Sequence, residues 1–133
     1  MINSKKILLI DDDEHVLQAI KQFLNLRGYD VTTAPTGLAA LKQMEMQNEF
    51  DLIVTDLIMP DVSGFGVILM VKNEYPSMPV IAITGWGEIP EKLASEVKAD
   101  AILKKPFELI ELEETIQNIL SRARTGDRTE ETP

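Results

Sequence analysis

The chain reads as a doubly wound α/β domain built on a parallel sheet of five strands. Three observations predict this. Five short apolar runs alternate with segments whose apolar residues recur at helical spacing. Most of these runs are continuously apolar, as strands covered on both faces are. Several of them end at a carboxylate, hydroxyl or ammonium side chain followed by Gly or Pro. That is the edge of an open α/β sheet where ligands bind.

The elements run in order along the chain. Lys5 to Ile10 (KKILLI) is the first strand and runs into Asp11, Asp12, Asp13 and Glu14. Acids ahead of an apolar-periodic segment mark a helix start, because carboxylates cap free N–H groups and suit the positive end of the dipole. Val16, Ala19, Ile20, Phe23 and Leu24 form that helix's apolar stripe, and Gly28 stops it. Tyr29 to Ala34 alternates as a second strand. Pro35 and Thr36 open a second helix carrying Leu38, Leu41, Met44 and Glu45. Leu52, Ile53 and Val54 form a third strand that stops at Asp56, and Pro60 and Gly64 punctuate the loop beyond it.

Phe65, Val67, Ile68, Met70 and Val71 predict a third helix, broken before Pro76. Pro79 to Thr84 (PVIAIT) is a fourth strand, followed by the loop Gly85-Trp86-Gly87 and a weak helix over about Ile89 to Val97. Asp100 to Lys104 (DAILK) is a fifth strand. Pro106 is expected to pre-set the first turn of a last helix with Leu109, Leu112, Ile116, Ile119 and Leu120 on its apolar face. The expected domain covers residues 1–120, with 121–133 a polar frayed tail or linker.

Composition narrows the function. A chain of 133 residues suits one domain with a real core. No apolar run approaches the roughly 18 residues that span a bilayer, and the first run is too short for a signal peptide. There is no cysteine, so a reducing cytoplasmic setting is the expected location. The net charge is −9. Arg122, Arg124 and Arg128 cancel Asp127, Glu130 and Glu131 in the tail, so the whole −9 lies in residues 1–120. So acidic a chain repels phosphate backbones, which argues against direct nucleic-acid binding.

If the first and third strands are neighbours, about 5 Å apart, Asp11 and Asp12 crowd Asp56. Two unit charges at that distance repel by roughly 3 kcal/mol at an effective dielectric of about 20. Either one acid is protonated or a cation sits among them. All-oxygen ligands with open positions suit Mg²⁺. Lys105, closing the fifth strand, brings a second positive charge to the same rim. Taken singly, the acid cluster is a helix cap, Asp56 a turn former or a reactive group, Thr84 a strand-end hydroxyl and Lys105 a solvated lysine. Together they fall one group to each of strands one, three, four and five. His15 beside them reads as a solvated surface residue rather than a ligand.

ILLIDDDE, DLIVTDLIMPDVSG, VIAITGWG and ILKKPF, in this order and spacing, resemble the receiver domain of bacterial response regulators over about Lys5 to Leu120. The resemblance implies a flavodoxin-like (βα)5 sheet of order 2-1-3-4-5. It implies that Asp56 is the phosphoacceptor and that Asp11 and Asp12 hold Mg²⁺ with Asp56 and the backbone carbonyl of Ile58. Thr84 and Lys105 then bond and pair with the phosphoryl group. The implied donor is a sensor histidine kinase or phosphotransfer protein, with an output partner and a phosphorylation-dependent homodimer beyond it. Two positions differ from the family's usual residues: Ile102 stands where an aromatic is common and Lys98 where a glycine is common. The resemblance implies that Trp86 and Ile58 flank the phosphoryl group, where two bulky apolar side chains would slow its hydrolysis; the alternative is a half-exposed Trp86 packed on its loop neighbours.

The expected function is therefore a phosphorylation switch rather than a conventional enzyme, either as a stand-alone receiver or as a domain of a longer regulator. The alternative is an interaction module of the same fold that never takes phosphate. A Mg²⁺-dependent phosphatase would place a second acid where Ile58 stands. A flavin carrier needs a Ser/Thr/Gly-rich loop where this chain has Asp11 to Glu14.

Overall fold

A computed structural model of the chain describes residues 4–47, 49–57, 64–85 and 98–131. The elements are β1 (Lys6–Ile10), α1 (Glu14–Leu26), β2 (Asp30–Ala34), α2 (Gly37–Met46), β3 (Leu52–Asp56), α3 (Gly64–Glu74), β4 (Val80–Thr84), β5 (Ala101–Lys104) and α4 (Leu109–Glu131). The strands form one sheet of order β2-β1-β3-β4-β5, every neighbouring pair parallel. This is the expected doubly wound architecture. The helix expected over Ile89 to Val97 lies outside the described residues.

Alternation along the strands splits the core into two layers. Leu8, Ile10, Ile53, Val80 and Ala82 face Ala40 and Met44 of α2 and Val67, Ile68 and Val71 of α3. Ile7, Leu9, Leu52, Val54, Ile81 and Ile83 face Leu17, Ile20 and Leu24 of α1 and Leu112, Ile116 and Ile119 of α4. Both faces of the sheet are covered, which is why its strands read as unbroken apolar runs. Asp51 and Asp100, which flank β3 and β5, act outside the ladder. The Asp51 carboxylate accepts from Lys6 N and the Asp100 carboxylate from Val80 N, each at 2.8 Å.

Caps set the helix limits. Asp13 Oδ1 accepts from His15 N (3.0 Å) and Val16 N (3.3 Å), so α1 starts at Glu14. At its other end, Tyr29 N donates to Leu24 O and Gly28 N to Asn25 O, with Gly28 at φ 98°. That paired geometry needs a left-handed residue, and glycine adopts it without a Cβ penalty. Thr36 Oγ1 accepts from Ala39 N at 3.0 Å and caps α2.

On α2, Leu38 is 60% exposed, and Gly37, Ala40 and Met44 face the sheet. A ten-residue helix makes under three turns, so a small shift in phase moves its apolar face. Pro106 does not open the last helix. It sits in the segment before α4, after a cis peptide with Lys105, and α4 starts at Leu109. The segment from Ser121 is helical backbone through Glu131, continuous with α4. Ile119 is buried, and Ser121 and Arg122 are exposed.

Two features were not legible beforehand. Glu113 on α4 is buried and takes Arg27 bidentately, Nη2 to Oε1 at 2.9 Å and Nε to Oε2 at 3.1 Å, tying the end of α1 to α4. Lys98 has φ 62°, a left-handed conformation that costs a side chain about 1 kcal/mol. This is the position where the resembling family commonly has glycine.

Gly64 is a tight point. A Cβ there would fall on the backbone oxygen of Asp56 and lie 2.6 Å from Leu57 Cα. Gly64→Ala is expected to lower stability by about 3 kcal/mol, because backbone rather than a mobile side chain must yield. Urea unfolding measures it, and a loss under about 1 kcal/mol would show that α3 can retreat from β3 without penalty.

Candidate functional site

Register assembles the site. Ile10 of β1 is paired with Thr55 of β3, so Asp11 and Asp56, one residue further along each strand, come side by side. Asp56 is paired with Ile83, and Thr84 with Lys104, which brings Thr84 and Lys105 to the same rim. Strand alternation then sorts the four. Asp11 continues the Ile7–Leu9 row, Asp56 the Leu52–Val54 row and Lys105 the Ala101–Leu103 row, all on the α1–α4 side of the sheet. Thr84 continues the Val80–Ala82 row on the other side.

The distances agree with this sorting. Carboxylate oxygens of Asp11, Asp12 and Asp56 lie within 4.8 Å of one another. Lys105 Nζ is 3.3 Å from Asp56 Oδ2 and 3.7 Å from Asp11 Oδ2. Asp11 is 1% exposed and Asp56 6%, while Asp12 is open to solvent. Thr84 is buried and stands beside the cluster by register; its backbone oxygen accepts from Lys105 N at 2.9 Å. The side chain of His15 is solvent-exposed, with Nδ1 3.9 Å from Asp13 Oδ1, as expected of a surface residue. Ile58 and Trp86 lie outside the described residues.

The acids at the start of α1 divide their work. Asp13 caps the helix, and its own N–H donates to Asp11 Oδ1 at 2.9 Å. That bond leaves Asp11 Oδ2 pointing into the cluster, where it is buried and has no hydrogen-bond donor among the described residues. Burial pushes the Asp11 carboxyl above the ordinary carboxylate range, and the charges of Asp56 and Asp12 add to this. The Asp13 N–H and the Lys105 ammonium oppose it. Burial draws Lys105 downward, but Asp11, Asp56 and Asp12 outweigh it and hold the ammonium above its usual value. Lys105 is therefore a fixed cation at neutral pH.

A buried carboxylate oxygen without a donor, grouped with two further carboxylates, fits a hard divalent cation. All donors are oxygen, as Mg²⁺ requires. Asp11, Asp12 and Asp56 are the residues that would hold it.

Comparison with known proteins places this geometry in a family. A family model described as the response regulator receiver domain matches residues 7–117. The chain belongs to the response regulator receiver domain family. Among solved receiver domains, one from Clostridium thermocellum is 34% identical with a TM-score of 0.85, covering 91% of this chain and 98% of that one. A CheY-like receiver domain protein from Methanospirillum hungatei JF-1 is 31% identical with a TM-score of 0.86, covering 93% and 99%. The "Alkaline phosphatase synthesis transcriptional regulatory protein PhoP" of Bacillus subtilis is 35% identical over 121 residues, 90% of this chain and 50% of that protein. A "Probable transcriptional regulator ycf27" of Cyanophora paradoxa is 34% identical over 122 residues, 91% and 50%. This receiver chain thus spans about half the length of the curated relatives it matches. Among the described residues, no helix is long and apolar enough to cross a membrane.

The raised Asp11 carboxyl gives a signed expectation for the metal-free receiver. Its folded state holds this proton more tightly than its unfolded state. The stabilisation is complete below the ordinary carboxylate pKa near 3.9 and is lost as pH rises through the raised folded value. Asp11→Asn keeps the acceptor for Asp13 N–H and removes the charge. At pH 7 without metal it is expected to stabilise the chain by about 1 kcal/mol, a few degrees in Tm, and to abolish stabilisation by added Mg²⁺. Calorimetry with and without Mg²⁺ checks both, and an asparagine variant that melts lower without metal would contradict the electrostatic account.

Proposed function

We propose that this receiver domain is a phosphorylation switch that accepts a phosphoryl group on Asp56 from a phosphohistidine of a sensor histidine kinase or phosphotransfer protein. One observation carries the reading: Asp56 Oδ2 faces Lys105 Nζ at 3.3 Å inside a cluster of three carboxylates. A carboxylate so placed is a covalent nucleophile with its charge partner already in position. An Asp56 oxygen attacks phosphorus, the bond from phosphorus to the imidazole nitrogen of the donor breaks, and the electron pair leaves with the imidazole. Phosphoryl transfer asks little of a protein besides positioning and charge neutralisation. Lys105 supplies one fixed positive charge beside the Asp56 carboxylate. Asp11, Asp12 and Asp56, with the Ile58 carbonyl, would hold Mg²⁺, which would supply further neutralisation of the phosphoryl oxygens when bound.

Once formed, the dianion changes the local balance. It attracts the Lys105 ammonium and the Thr84 hydroxyl, and so biases the surface that these two strand ends support. Residues 1–120 are the switch, and 121–133 serve as its tail or linker. The chain acts as a switch rather than as an enzyme turning over a free substrate, while assisting its own phosphorylation and dephosphorylation. Its output is a protein partner, a further domain or a phosphorylation-dependent homodimer. Direct nucleic-acid and membrane contacts form no part of the reading. A cytoplasmic location goes with it.

Incubation with Mg²⁺ and a small acyl phosphate, followed by intact-protein mass, is expected to show one added phosphoryl group. Asp56→Asn and removal of Mg²⁺ each abolish it. No adduct under any condition would favour an interaction module of the same fold.

A further inference from the structure

Asp56 is the last residue of β3, and its main chain is gripped from the side away from its carboxylate. Thr55 is fully buried and donates its hydroxyl to the Asp56 carbonyl, Oγ1 to O at 3.0 Å. Gly64, the first residue of α3, lays its bare Cα against the same carbonyl; a side chain there would overlap it. The Gly64 N–H donates to Leu57 O at 3.0 Å, and Leu57 N–H donates to Ile83 O at 3.0 Å. The peptide unit after Asp56 is thus held by β3 itself, by α3 and by β4.

Alternation explains how the grip avoids the chemistry. Thr55 continues the Ile53 row on the α2–α3 side, and Asp56 the Val54 row on the α1–α4 side. The clamp acts on the backbone from one face while the carboxylate is presented from the other.

We propose that Thr55 is a positioning residue for phosphoryl transfer: with Gly64 it fixes the Asp56 carbonyl and thereby the direction in which the carboxylate leaves the strand toward Asp11 and Lys105. The proposal rests on the phosphoacceptor reading of Asp56. Its physical basis is leverage. The Asp56 side chain is short, so rotation of its peptide swings the carboxylate across the cluster. A misplacement of about 1 Å can cost roughly 100-fold in rate. Valine has the shape of threonine and suits a buried strand, so Thr55→Val removes the donor and little else. Serine keeps the donor.

The test compares wild type, Thr55→Val, Thr55→Ala and Thr55→Ser as the full chain. Phosphorylation by a small acyl phosphate at saturating Mg²⁺ is followed by intact mass over a range of donor concentrations. Thr55→Val and Thr55→Ala are expected to lower the maximal rate about tenfold, with the half-saturating donor concentration and Mg²⁺ affinity within about twofold of wild type. Thr55→Ser regains the rate to within about threefold. A merely structural hydroxyl predicts something else: lower Tm with an unchanged maximal rate in whichever donor-less variant folds. That result overturns the proposal, as does a rate loss that serine shares or that tracks Mg²⁺ affinity. Wild type that takes no phosphoryl group overturns the phosphoacceptor reading, and the proposal with it. Normal wild-type phosphorylation beside an unaffected Thr55→Val or Thr55→Ala overturns the proposal alone.

Discussion

The parallel pairing of β1 with β3 is the constraint on which the rest depends. It sets Asp11 beside Asp56, each at the end of a row of large buried aliphatic side chains. A one-residue slip would exchange the side chains facing α1 and α4 with those facing α2 and α3 and unseat both close-packed layers at once. The hydrophobic core therefore fixes the separation of two carboxylates that repel each other. Lys105 relieves part of that repulsion and leaves Asp11 Oδ2 without a donor among the described residues. The site is thus held together by apolar burial around it, and its own charges work against it until a cation arrives.

The same logic explains the support structure. Asp13 secures the start of α1 and hands its N–H to Asp11. The end of α1 is pinned to α4 by Arg27 and Glu113. The segment preceding α4 carries Lys105. One helix thus touches the acids at one end and braces the lysine-bearing side at the other. On the opposite face, α3 begins so close to β3 that only glycine fits at its first residue. The rim is accordingly braced on both sides of the sheet, as suits the proposed phosphoryl transfer, in which a protein contributes mainly placement and charge.

How much could be read beforehand depended on the range of the interaction. Caps and stops were legible because they are local: Asp13, Gly28 and Thr36 act within one helical turn. The apolar rows of β1, β3 and β4 were legible because burial on both faces leaves no polar alternation. The buried face of α2 was not legible because a short helix has too few apolar positions to fix its phase. Pro106 misled because proline suits a connecting segment as well as a first turn. The buried role of Glu113 was not legible, since its partner Arg27 is 86 residues away along the chain. Thr55 left a faint trace as the one hydroxyl in an otherwise apolar strand, and Gly64 was read only as loop punctuation.

The order of the residues alone determined that five strands would alternate with helices and that acids, a hydroxyl and a lysine would stand at their carboxyl ends. Periodicity and local hydrogen bonding suffice for that. Only tertiary structure decided which ends meet and on which face. Strand order and register arise from packing between distant segments, and they put Asp11, Asp56 and Lys105 in one cluster with Thr84 at the neighbouring strand end. Tertiary structure also decided what lies behind the Asp56 carboxylate, because the approach of Gly64 to the Asp56 carbonyl exists only once α3 has docked on β3.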